Sequence, residues 1–298
     1  MSPALRNLCR AGAMLALLAV GACAGASNEQ IAQVAQSGET FATQAPRVYD
    51  VVFASAVNRD SSDLEQLRKR AEGRPEAVQA AVKTAFVNNT KALSERLSHF
   101  NTMKSHAQLL DSYFTKLNVL ASGGGSTAAG QAATNAADEL EKLAPGIKDI
   151  SIGGKSLNGF IGPLVSLVAS SFANSQLQEH LKTSAPKVQE AIALQRSMFA
   201  LLLDQEQARA KAAADAAVKV AFDAFDKPLP ATWAAERLKT FAPAPITNAL
   251  SAALDAADQL QTNYEELVTG GDGSLNRLQN ALALVGAVVT VFESNTQQ

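Results

Sequence analysis

The sequence predicts an all-α protein, an elongated helical bundle with long coiled-coil-like helices. Three observations carry this. Apolar residues recur at steps of three and four from Ile31 to Phe292, the spacing that gathers them on one face of a helix. Alanine is abundant while aromatic residues make up only 5% of the chain, with Trp233 the one tryptophan; that composition suits close helix–helix contact and poorly suits a β-sandwich. No stretch alternates polar and apolar residues between strand-type turns, and Ile150-Ser151-Ile152 is too short to count for much.

The chain opens on a different kind of element. Arg6 and Arg10 are followed by the apolar run Ala11 to Val20, and small residues stand at Gly21 and Ala22. This is the layout of a secretory signal, and a run of about ten residues is too short for the ~20-residue span of a membrane helix. Val20-Gly21-Ala22-Cys23 resembles the lipobox of bacterial lipoproteins. The resemblance covers the first 23 residues only, and Val stands where Leu is commoner in that family. It implies that residues 1–22 are removed, that Cys23 receives lipid, and that residues 23–28 tether a single domain over 29–298. Ala24 in place of an aspartate after the cysteine implies outer-membrane localisation, with the membrane itself as a partner. Several acyl chains make a durable anchor, since each buried methylene contributes about 0.8 kcal/mol. An ordinary cleaved signal with a coincidental cysteine is the alternative.

Removing Arg6 and Arg10 from 26 basic residues leaves 24 against 28 acidic ones, a balance of −4. A mildly acidic chain of mixed sign lacks the electrostatic footprint of nucleic-acid binding. Cys9 leaves with the signal and an acylated Cys23 has no thiol, so stability must come from packing and not from disulfides.

Each helical element follows from its spacing. Ile31, Val34, Phe41, Ala45, Val48 and Val52 form one face, with Gly38 filling the gap. Pro46 is expected to bend or break that helix. Asn58 to Ser62 (NRDSS) reads as a turn, with Ser61 or Ser62 capping a short helix and Glu65 completing a capping box. Gly73 ends it, and Pro75 suits the next first turn. From Pro75 to about Ala121 the residues Val78, Val82, Phe86, Leu93, Leu97, Phe100, Ala107, Leu110, Phe114 and Leu117 share a stripe without Gly or Pro. Such a helix is about 70 Å long, and a stripe kept so far is a coiled-coil-like seam. Ser122 to Ser126 reads as a break, Thr127 to Leu143 as an Ala-rich helix, and Leu164 to Asp226 as helix kinked at Pro186. Pro228, Pro230, Pro243 and Pro245 bracket a segment around Trp233. Ile246 to Leu267 and Leu275 to Phe292 give two clean stripes, and the Gly270 to Ser274 reversal between them predicts an antiparallel pair.

No residue cluster assembles a recognisable reaction, so no catalytic residue, metal ligand or cofactor is expected. Gly153-Gly154-Lys155-Ser156 looks like the end of a phosphate loop, but that loop needs glycine where Asp149 stands. His99 and His106 are seven residues apart, which separates their ring bases by about 10 Å, whereas helical zinc pairs sit four apart; both are read as solvated flank positions. Adjacent acids such as Glu265-Glu266 point to different sides of a helix. The segment Ser156 to Ala173 carries no charge and is broken by Gly159, Gly162 and Pro163. It reads as a buried inter-helix turn, or as a partner or membrane contact through Leu157, Phe160, Ile161, Leu164, Val165 and Leu167. Ala281 to Phe292 is about 12 residues and reads as core. The function expected is that of a non-enzymatic envelope lipoprotein binding an envelope or secretion-related protein, as adaptor, inhibitor, immunity factor or structural component. The alternative is an α-helical pore-forming or membrane-inserting protein that uses segment 156–173.

Overall fold

The computed structural model describes residues 26–123, 151–152, 155–156, 163, 165–168, 177–222, 245–270 and 275–296. The protein is all-α. Its long elements are α1 (Asn28–Ala71), α2 (Glu76–Ala121), α3 (Leu177–Phe222), α4 (Pro245–Thr269) and α5 (Leu275–Thr296), and a two-residue antiparallel pair joins Ser151–Ile152 to Lys155–Ser156. The helix expected over 127–143, the segment around Trp233 and the signal region fall outside the described residues.

Helix α1 starts where a reciprocal cap starts it. The Gln30 amide donates to Ser27 Oγ at 3.2 Å and the Ser27 amide donates to Gln30 Oε1 at 2.8 Å, so two of the first-turn donors are satisfied. The stretch read as tether is therefore docked at its end: Ala26 is buried, and its carbonyl accepts from Gln178. The expected turn at NRDSS does not form. The helix runs 44 residues from Asn28 to Ala71, through Pro46 and through Asn58–Ser62. Its neighbours hold it there. Arg59 donates to Glu206 at 2.9 Å, and Asn89 donates to Asp60 at 2.6 Å. Tertiary partners thus supply what local turn preference would have taken. The helix ends at a turn centred on Gly73, whose φ of 71° is the left-handed region glycine enters without strain.

Helix α2 returns along α1, and α3 runs alongside both. Three contacts fix the directions. Gln178 meets Ala26, Gln195 meets Tyr49, and Glu206 meets Arg59, so α3 ascends with α1. Tyr113–Ser184 and Arg96–Gln205 run in opposite order, so α3 is antiparallel to α2. Tyr264–Ser184 and Asp258–Arg196 set α4 antiparallel to α3. Helix α5 packs on α4 and α1, tied by the bidentate Arg47–Glu293 pair at 2.7 and 3.2 Å.

The core is aromatic at its centre and alanine-lined around it. Tyr49 stacks between Phe100 and Phe199, at 5.7 and 5.2 Å between ring centroids, and Phe41 meets Phe199 edge-on. Ala249, Ala253, Ala256 and Ala257 give α4 its inner face, where small side chains let backbones approach. The stripe on α2 is not covered throughout. Phe100, Ala107, Leu110, Phe114 and Leu117 are buried, whereas Val78 and Phe86 are exposed. The spacing of α2 marks one continuous face, and among the described residues only its second half is fully buried.

Candidate functional site

Two polar clusters and two uncovered apolar faces are the candidates. The first cluster lies between α1, α2 and α3. The Tyr49 hydroxyl donates to Gln195 Oε1 at 2.5 Å. Gln195 Nε2 donates to the Met103 carbonyl and to His106 Nδ1, both at 3.0 Å. The expectation that His106 is a solvated flank residue is corrected here: it is wholly buried, because α3 brings an amide to it. Burial lowers its pKa to about 4, so the ring is neutral with Nδ1 as the acceptor. His99, by contrast, is exposed.

The second cluster joins α2, α3 and α4. Tyr113 and Tyr264 share a hydroxyl hydrogen bond of 2.7 Å, and Ser184 Oγ lies 3.1 Å from Tyr113 Oη and 3.2 Å from the Leu181 carbonyl. Burial pushes the Tyr113 phenol up to about 12 and raises those of Tyr49 and Tyr264 well above the ordinary phenol value, so all three are neutral hydrogen-bonding groups. Ser184 engages hydroxyls and a carbonyl, none of which is a base able to take its proton at neutral pH. His180 stacks on Tyr113, and burial, followed by the charge of Lys116, lowers its pKa to about 4. Among the described residues no three His, Cys, Asp or Glu side chains gather to hold a metal. Both clusters tie helices together through buried hydrogen bonds and so help fix which helix faces pack, although His106 Nε2 is buried without a hydrogen-bond partner.

Of the contact residues expected in segment 156–173, Val165 packs half-buried against the core and Leu167 is buried; Val168 beside it is buried too. Lys116 Nζ donates to the Val168 carbonyl at 2.9 Å, pinning this turn to α2. Leu157, Phe160, Ile161, Leu164 and Cys23 lie outside the described residues. The pairing Ser151↔Ser156 and Ile152↔Lys155 places Lys155 on a short strand, not at the head of a helix as a phosphate loop requires.

The uncovered faces were only partly foreseeable. On α1 and α2, on either side of the Gly73 turn, Leu67, Val78, Phe86 and Val87 are 40%, 43%, 57% and 63% exposed. Of these, Phe86 and Val87 line a groove of about 740 Å³, together with Leu64, Arg68, Val82 and Lys83. On α5 the inner positions Leu278, Leu282, Val285 and Val289 are core, as expected, while Leu284 and Val291 on the outer face are more than half exposed. Leu275–Ser294 is also long and apolar enough to cross a membrane by length and composition, with 28% of it buried. The three–four spacing that marked the core also takes in Val78 and Phe86, but Leu67, Val87, Leu284 and Val291 lie off it.

The chain matches no family model, no curated protein and no solved structure.

Proposed function

We propose that the protein is a lipid-anchored envelope protein, moored at the outer membrane through Cys23, with an elongated helical body in the periplasm that works by protein contact and not by bond-making. On this reading it is an adaptor, inhibitor, immunity factor or structural component of the envelope. The observation that carries the reading is the pair of helix faces whose large apolar side chains the chain's own core leaves uncovered. Soluble proteins rarely leave such contiguous patches without a partner. The lipobox-like Val20-Gly21-Ala22-Cys23 supports the anchor. The two polar clusters are neutral, and none of their hydroxyls is bonded to a base, which supports a role without bond-making.

Mass spectrometry of the mature protein tests the anchor: an acylated N-terminal Cys23 is expected, lost in Cys23→Ser. A photo-crosslinking residue at Leu284 or Val291, used in intact cells, tests contact. An adduct with one identified envelope protein, lost from the Leu284 position when Val291 is changed to Asp, is the expected result. An unmodified N-terminus beginning elsewhere overturns the anchor, and the absence of any protein adduct from either α5 face or hairpin overturns the contact reading.

A further inference from the structure

We propose that the hairpin tip, the end of α1 and the start of α2 around Gly73, is a self-association surface on which a second copy of this chain docks about a two-fold axis. This rests on the contact reading above and names the occupant of one of its two faces.

Three features favour a copy over another partner. The first is extent. Twelve residues line the groove, and the exposed Leu67 and Val78 add two more apolar positions, a face that a two-fold contact uses on both copies at once. The second is shape. Phe86 and Val87 stand at the mouth of the groove, and Leu64 and Val82 line it. In a two-fold contact the same patch is both surface and receptor, so each Phe86 can enter the other copy's groove. Two hairpins then complete a four-helix bundle that neither forms alone.

The third feature is charge. The groove is lined by Glu65, Arg68, Glu72 and Lys83, two acids and two bases. Lys69 already pairs with Glu65 at 2.6 Å. Among the described residues Arg68, Glu72 and Lys83 make no ion pair. An acidic helix laid in the groove meets Glu72, and a basic one meets Arg68 and Lys83. A copy brings both signs, and a two-fold axis lets each Glu72 face a cation of the other chain.

Sedimentation equilibrium of the full-length chain is the test. A concentration-dependent dimer is expected, with Phe86→Glu raising its Kd roughly thirtyfold or more at unchanged helical circular dichroism. Val87→Asp, at the most exposed position of the patch, gives the same readout should Phe86→Glu fail to fold. Charge segregation tests the symmetry. Glu72→Lys makes one rim wholly basic apart from the paired Glu65, and Arg68→Glu with Lys83→Glu makes the other wholly acidic. Each variant alone should be monomeric, and the one-to-one mixture should dimerise. A wild-type chain that stays monomeric at about 0.1 mM, or a dimer indifferent to Phe86→Glu, Val87→Asp and the charge variants, overturns the proposal. A monomer whose hairpin crosslinks to a different envelope protein overturns self-association while leaving the contact reading standing; no contact at either face removes both.

Discussion

Gly38→Ala separates two physical effects of opposite sign. Gly38 lies on the buried face of α1, and the Phe114 ring of α2 rests directly over it. A β-carbon there would sit 2.5 to 2.6 Å from three ring atoms, well inside the ~3.5–4.0 Å of carbon–carbon contact. The ring cannot retreat. Phe114 is fully buried, with Tyr113 and Tyr264 edge-on at 5.4 and 6.1 Å, and those two hydroxyls are bonded to each other. Helix propensity alone favours alanine by about 1 kcal/mol. Overfilling a packed core costs about 1–3 kcal/mol, and a ring trapped on its far side belongs at the top of that range. The net expectation is a loss of about 2 kcal/mol, read as a lower urea midpoint at unchanged slope. Phe114→Leu opens the space, so the double variant should be less destabilised than the two single losses added together, with a coupling of about 1–3 kcal/mol. Gly286→Ala is the control: its nearest neighbour is the Gln44 amide nitrogen at 3.2 Å, a side-chain tip that can swing aside, so propensity should hold the change within about 0.5 kcal/mol of neutral or make it stabilising. A Gly38→Ala protein as stable as wild type, or strict additivity with Phe114→Leu, refutes the reasoning.

Other perturbations probe the remaining features. Pro46→Ala restores an amide donor inside α1 and should raise the thermal midpoint, with up to about 3 kcal/mol available from the lost break; an unchanged or lower midpoint shows that packing has absorbed the proline. His106 and His180 have folded pKa values lowered to about 4 from 6.5, so the unfolded chain binds protons first. Stability should be full above pH 6.5 and fall as the pH approaches 4, with His106 contributing about 3 kcal/mol of that loss; urea titrations of His106→Gln should show a shallower fall, and an identical slope contradicts this. Glu206 is buried and accepts from Arg59 at 2.9 Å and Arg209 at 2.6 Å. Glu206→Ala should cost about 1–2 kcal/mol, below the ~3–5 kcal/mol of a fully buried broken pair, because both guanidinium groups reach water; a loss at the full buried value means they do not.

Much of the helical plan is legible residue by residue, because spacing is a local property. The α4 and α5 stripes and the buried half of α2 read directly from steps of three and four. What packs on a stripe is not local. Gly38 shows as a gap in a pattern, but the ring that fills it comes from another helix. His106 looks like a flank position until α3 delivers Gln195. NRDSS has turn chemistry, and Asn89 and Glu206 overrule it from a distance. Val78 and Phe86 obey the same spacing as Phe100 and Phe114 yet lie bare, since periodicity records a face and not its cover. The hairpin groove was illegible for that reason. In segment 156–173, the Val168 carbonyl is met by Lys116, a residue no local pattern connects to it.

The separations in sequence of the core bonds carry a consequence for how this chain is made. Helices α1 and α2 can zip together as soon as both have emerged, needing only the Gly73 reversal between them. Helix α1 also waits for later mates: Tyr49, already stacked on Phe100, is completed by Gln195, 146 positions on, and Arg47 by Glu293, 246 positions on. A nascent chain must therefore hold part of α1 uncovered until α3 and α5 have been synthesised. Deleting α5 should convert the protein from a stable product into a target for chaperones and proteases, even with α1 to α4 intact.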